Sequence, residues 1–195
     1  YLTKFGYKFK NENQEIGGYS IQRNKKIALI MDVGSSPEKK FSKDYQSGAL
    51  SFEIISNEKK IICNSGYFQN YKHKLNELSK STANHSTLIL DNNSSCKLRK
   101  IGNKSSVIEK GLKILNKSSV FEKNYWNIVA SHNGYLKKYG IIHERKIEFF
   151  PEHNKFIGTD TLIKKKNYKS TNFEIRFHLQ PNSKIMKTQD SKSIF

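Results

Sequence analysis

Two stretches of the chain concentrate side chains able to do chemistry. In "ASHNGYLKKYGIIHER", beginning at Ala130, the residues His132, Tyr135, Tyr139, His143 and Arg145 follow one another closely. On an extended strand His143 and Arg145, two residues apart, share a face. Imidazole, phenol and guanidinium on one sheet face suit a carboxylated sugar, because Arg pairs with the carboxylate and Tyr or His moves a proton. The same spacing also describes an outward polar face on which Tyr closes a turn. In the second stretch, "STANHSTLILD", His85 stands where a polar loop turns into the apolar run Leu88-Ile89-Leu90. An imidazole there is an ordinary polar residue at a strand start, a metal ligand, or a catalytic group held by a sheet edge. His73 and His153 lie in polar stretches and read as solvent-facing. No HxH, HExxH or HxxxH spacing occurs, so a self-contained metal motif is absent. Cys63 and Cys96 form no CxxC pair, which leaves a zinc ribbon and a thioredoxin-like site unsupported, and both are expected as free thiols.

These groups need a frame, and the dominant period along the chain is two. "NFEIRFHLQP" alternates Phe173, Ile175, Phe177 and Leu179 with Glu174, Arg176, His178 and Gln180, the pattern of a half-buried strand. His178 accordingly points outward, to the surface or into a groove. "GALSFEIIS" turns Leu50, Phe52 and Ile54 inward. "YSIQR" and "KKIALIMDVG" pair around Asn24-Lys25, "KKIICNSG" follows a turn at Ser56-Asn57-Glu58, and "WNIVASHNGY" pairs with "GIIHERKIEFF". The two "NKSS" patches, near 104 and 117, read as loops. One segment reads as a helix, near Lys72 to Ser79, where Leu75 and Leu78 are three apart. Short strands separated by Asn, Gly and Ser predict an all-β antiparallel sandwich with at most one or two short helices. No βαβ alternation, P-loop or GxGxxG points to nucleotide binding.

With 195 residues the chain suffices for one domain with a real core, and 12 Phe and 10 Tyr predict that the core is aromatic. No apolar run approaches the ~20 residues that span a bilayer. The chain opens at Tyr1 in mid-pattern and reads as the C-terminal piece of a longer protein. We expect a remnant or linker over 1–15 and a sandwich over 16–195, with truncation at its C-terminal end left open. The formal charge of +18 points either to a polyanionic partner or to a Lys-, Asn- and Ile-rich composition. Arg occurs only at Arg23, Arg99, Arg145 and Arg176, few for a dedicated phosphate-binding surface. No RNP, KH or helix-turn-helix pattern supports a nucleic-acid partner.

In order, "IGGYSIQRNKKIALIMDVG", "SGALSFEIIS", "IICNSGYF", "STANHSTLILD", "ASHNGYLKKYGIIHERKIEF" and "FEIRFHLQP" resemble the C-terminal β-sandwich of the heparinase II/III-like proteins, polysaccharide lyases and their relatives. The resemblance covers residues 16 to 181. "ANHST" is similar to the family's "AHNT" element and "SHNGY…HER" to its "HDGY…H.R" element. The resemblance implies an α/α-toroid domain upstream, with the active-site cleft between toroid and sandwich. It implies β-elimination on a uronic-acid polysaccharide: the carboxylate is neutralised, a Tyr or His takes the C5 proton, and the leaving oxygen is protonated. The family's main catalytic tyrosine belongs to the toroid, so the sandwich is expected to be inactive alone. The alternative is a non-catalytic sandwich that binds acidic envelope glycans or serves as scaffold. A bacterial periplasm or cell envelope is the implied location.

On these terms the candidates for the chemistry are His85, His132, Tyr135, His143 and Arg145, and those for substrate contact are Tyr45, Gln46, Arg176 and His178. The resemblance also implies a structural zinc. Its ligand positions map onto His85, onto Gln46 within "DYQSG", and onto Asn64. The first His of the family's "HxHxD" element maps to Asp44, whose charge has the wrong sign for neutralising a carboxylate. Amide oxygens are weak zinc ligands beside imidazole and carboxylate, so the expectation is no cofactor or a weakly held zinc. His85, Gln46 and Asn64 are expected to meet in one pocket, with or without metal.

Overall fold

The computed structural model describes residues 14–102 and 106–190. In chain order the elements are β1 (Gln14–Ile16), β2 (Tyr19–Arg23), β3 (Ile27–Asp32), β4 (Phe52–Ser56), β5 (Lys59–Cys63), helix α1 (Lys74–Ser79), β6 (Leu88–Leu90), β7 (Lys97–Lys100), β8 (Ser106–Lys110), β9 (Ile114–Phe121), β10 (Trp126–His132), helix α2 (Leu136–Tyr139), β11 (Ile141–Phe150), β12 (Lys155–Lys164), β13 (Phe173–Ile175) and β14 (His178–Leu179). A six-stranded sheet runs β1-β2-β3-β4-β5-β14, and a four-stranded sheet runs β12-β11-β10-β9. Two ribbons, β13-β6 and β7-β8, complete the fold. Strand pairing is antiparallel in both main sheets.

The alternation seen in the sequence builds the sandwich directly. β3 and β4 turn Leu29, Met31, Phe52 and Ile54 to one side, where they meet Ile128 and Ala130 of β10 and Ile147 of β11. Trp126, Phe149 and Phe156 extend this layer with close ring contacts. Each such side chain contributes about 1.5–3 kcal/mol when fully buried. Both predicted turns form: Asn24 Oδ1 accepts the Lys26 and Ile27 N–H groups, and Asn57 and Glu58 adopt φ of 47° and 66° between β4 and β5. Cys63 and Cys96 are buried free thiols.

Three local expectations need correcting. "NKSS" near 117 is not a loop but the middle of β9, hydrogen-bonded along β10. It is polar because β9 is an edge strand with its faces open to water. The "NKSS" patch near 104 falls largely on residues 103–105, outside the described residues. "NFEIRFHLQP" does not bury its apolar face. The segment breaks into β13, paired with β6, and β14, paired with β5, and Phe173 and Phe177 stay 56% and 53% exposed. The inward side belongs to Arg176 and His178, whose side chains bond to the Ala83 carbonyl. Helix α1 is inverted in the same sense: Asn76 and Ser79 are buried while Leu75 and Leu78 face outward. Asn76 Nδ2 donates to the Phe68 carbonyl at 2.6 Å, which explains why the polar face is held inside.

Candidate functional site

Four side chains on three neighbouring strands form a polar row inside the sandwich. His132 on β10 lies opposite His143 on β11, and Arg145 on β11 lies opposite Asp160 on β12. The Gly134 N–H donates to His132 Nδ1 at 3.0 Å, so that nitrogen carries no proton. His132 Nε2–H is then the donor to His143 Nδ1 at 3.3 Å, and His143 Nε2–H donates to Asp160 Oδ1 at 2.6 Å. Arg145 closes the row with a two-pronged contact to Asp160, at 2.8 and 2.9 Å. Both imidazoles are neutral. Burial pushes His132 well below its ordinary value, with the neighbouring His143 and Arg145 adding to the effect. Burial also lowers His143 against the opposing pull of Asp160. The Asp160 carboxyl is raised by burial, but the bonds from His143 and Arg145 outweigh this and leave it at about 2.

This row is sealed. His132, His143 and Arg145 are at most 1% exposed, so none can touch a polymer at the surface of this domain. Tyr135 is equally closed off. Its hydroxyl donates to the Leu88 carbonyl at 3.0 Å, and burial raises its pKa. These four candidates therefore do not form the outward sugar-binding face expected of them. What the row does is hold loops. Arg145 donates from one guanidinium nitrogen to the Leu50 carbonyl at 3.0 Å and the Ser86 carbonyl at 2.7 Å. Leu50 takes a left-handed φ of 61°, rare for a branched side chain, while holding its carbonyl on that guanidinium.

Ser86 is the node that joins this row to His85. Its N–H donates to Asn64 Oδ1 at 2.8 Å, its hydroxyl donates to the Cys63 carbonyl at 2.8 Å, and the hydroxyl accepts the His178 N–H at 2.9 Å. Asn64 and the His85 loop are thus brought together across the chain. Beside the imidazole lies Gly48, where a side-chain carbon would sit 3.1 Å from His85 Nδ1. Glycine in "QSG" is what lets the two loops approach. Gln46, two residues earlier, is half-buried and makes no side-chain hydrogen bond among the described residues. Tyr45 is turned inward, its hydroxyl against Ser36 and Cys96 rather than toward a substrate. Arg176 and His178 are half-buried over this loop, and Arg176 also pairs with Glu174 at 2.9 Å.

His85 itself is 3% exposed, and its Nε2 has no hydrogen-bond partner among the described residues. Burial, then the charge of His178, lowers its pKa to about 4, so it is neutral at pH 7 and a weak base there. The unpartnered nitrogen fits a metal ligand, but its surroundings do not complete a site. Asn64 Oδ1 is already taken by Ser86, and among the described residues no three His, Cys, Asp or Glu side chains come close enough to hold an ion. A structural zinc normally draws four ligands from those types. The chain after dialysis against chelator is expected to retain no stoichiometric zinc by elemental analysis. Gln46→His with Asn64→Asp is expected to gain it. Zinc in the wild type at one per chain would defeat this expectation.

The full extent of the fold corresponds to one protein family, whose model, described as heparinase II/III-like, C-terminal, matches residues 13–195. The chain belongs to that family. Among solved structures, this heparinase II/III-like domain resembles the heparan sulfate lyase HepC from Pedobacter heparinus, at 18% identity and a TM-score of 0.67. It resembles a mutant of that enzyme at 19% and 0.66, and a heparinase III with methylated lysines at 16% and 0.63. Each match covers 91% of this chain and 25% of the solved one. The likeness at this identity is one of fold, and the domain spans about a quarter of the length of those proteins. No curated protein matches it.

Within the heparinase II/III-like domain, sequence reasoning missed Asp160 and Ser86. Asp160 had a signal: a lone acid between Thr159 and Thr161, in the long strand that follows β11. Its partner could be found only once the register placed it opposite Arg145.

Proposed function

We propose that this domain is the sandwich part of a polysaccharide lyase that cleaves an acidic, uronic-acid-containing polysaccharide by β-elimination, and that it is inactive alone. The observation that carries the reading is the sealing of the row beneath the His85 loop. The residues matching "HDGY…H.R" are spent on holding the loops at Leu50 and Ser86, and His85 is neutral and buried. The domain thus offers a rigid wall, with Arg176 and His178 half-buried at its edge, and the proton-transferring groups come from another domain. The family membership supports this reading, and an upstream toroid and a periplasmic or envelope setting are part of the proposal. A non-catalytic sandwich that binds acidic glycans is the competing reading. It shares the sealed row but predicts an inactive longer protein as well.

The test is release of unsaturated uronate, followed by its ultraviolet absorbance, from heparan sulfate and other uronic-acid polymers. The 195-residue chain is expected to release none, and the same domain joined to its own upstream toroid is expected to be active. Activity of the chain alone would overturn the division of labour, and inactivity of the joined protein on every uronic-acid polymer would favour the competing reading.

A further inference from the structure

We propose that the hollow between the β7–β8 ribbon and the α2 corner is a binding site for an anionic saccharide, separate from the surface around His85. The cavity measures about 980 Å³, at the upper end of the roughly 300–1,000 Å³ usual for ligand pockets. Lys97, Lys110, Lys137 and Lys138 line it, and among the described residues no Asp or Glu does. None of His85, Asn64, Gln46, Arg176 or His178 belongs to its wall, so the inference stands on the hollow's own chemistry, whatever becomes of the lyase reading.

The lysines are placed by the fold. Lys138 Nζ donates to Asn93 Oδ1 at 2.7 Å, and Asn93 Nδ2 in turn donates to the Tyr139 hydroxyl at 2.7 Å. A buried phenol thereby fixes the cation at the rim. Lys97 is held by Glu109 at 2.9 Å. Gly134 makes room for the corner, since a side-chain carbon there would collide with the Ser95 carbonyl at 2.5 Å. Leu98 and Leu136 give the wall apolar patches, suited to the C–H faces of a sugar ring, while the ammonium groups meet sulfate or carboxylate. A single-stranded nucleic acid would want exposed rings to stack on. The aromatic residues of this wall, Tyr135 and Tyr139, are 1% and 5% exposed, which favours the saccharide.

Binding of a heparin-derived tetrasaccharide to the 195-residue chain tests this, by calorimetry and by amide shifts at physiological salt. Shifts are expected at Asn93, Gly111, Asn133 and Leu136. Replacing Lys97, Lys110, Lys137 and Lys138 together by Ala is expected to weaken binding at least tenfold. An equal loss of charge elsewhere, Lys25, Lys123, Lys165 and Lys166 to Ala, is expected to weaken it less than threefold. Equal weakening by both sets would show diffuse attraction by a basic protein and overturn the site. So would shifts confined to other surfaces, a measurement that needs no variant to fold, and so would tighter binding of a single-stranded oligonucleotide of the same charge.

Discussion

Asp160→Ala is expected to destabilise the domain by about 3–5 kcal/mol, the usual effect of removing one partner from a buried ion pair. The variant leaves the Arg145 guanidinium 1% exposed with only neutral carbonyls for company. It also leaves His143 Nε2–H without its acceptor. A domain of this size has about twice that stability in total, so a shifted urea midpoint reads the effect plainly. Removing the pair as a unit, with Asp160→Leu and Arg145→Met, is expected to cost less than the two single changes added together, because no unpaired charge remains. The Leu50 and Ser86 carbonyls then lose their donor. Faster amide exchange across Ser86 and Thr87 should therefore persist in the double variant even where global stability recovers. A loss below about 1 kcal/mol for Asp160→Ala would mean that the row does not hold the loops.

Asp32→Asn is expected to act in the opposite direction and raise stability at pH 7. Burial pushes the Asp32 carboxyl up to about 6, only partly countered by the Gly34 N–H it accepts at 3.0 Å. Unfolded, the same group titrates near its ordinary 3.8. A carboxyl whose folded pKa is raised is penalised where it is ionised in both states, above about 6. The penalty is relieved as pH falls from about 6 towards 3.8, because the folded form binds the proton first. At about 1.4 kcal/mol per pH step, the penalty at pH 7 is on the order of 3 kcal/mol. Asn removes the charge and keeps an oxygen for Gly34. The variant should therefore exceed the wild type by roughly 2–3 kcal/mol at pH 7 and match it near pH 4. The lowered pKa of His85 works against stability as pH falls from 6.5 towards 4, but it acts on both proteins and cancels in the difference. Denaturant curves of the pair at pH 7 and pH 4 decide the matter, and a difference that does not shrink with acid would sink it.

Much of the frame was legible because it rests on local rules. Period-two alternation in β3, β4, β10 and β11 names the residues that meet between the sheets, since one face of each strand must leave water. Asn24 and Asn57-Glu58 mark their turns because few side chains accept those backbone angles or supply those acceptors. The ordered motifs were enough to place the chain in its family. The sequence by itself thus determined an antiparallel sandwich, its main hairpins and its lineage, while the core it suggested would be aromatic is mostly aliphatic, with Phe52 the one ring among the buried residues of the central cluster.

Which polar residues face inward was decided only by the tertiary structure. Alternation says that His143 and Arg145 share a face, but not that this face is the dry one. Burying a guanidinium becomes tolerable only with Asp160 across the next strand and two loop carbonyls from far along the chain. The same dependence on distant partners inverted two patterns that looked amphipathic. Arg176 and His178 turn in because Ala83 and Ser86 offer them hydrogen bonds, which leaves Phe173 and Phe177 outside. Asn76 turns in because Phe68 presents a carbonyl. Apolar burial follows from each strand's own composition, whereas a buried polar group is stable only where the fold delivers its partner, and that partner lies elsewhere in the chain.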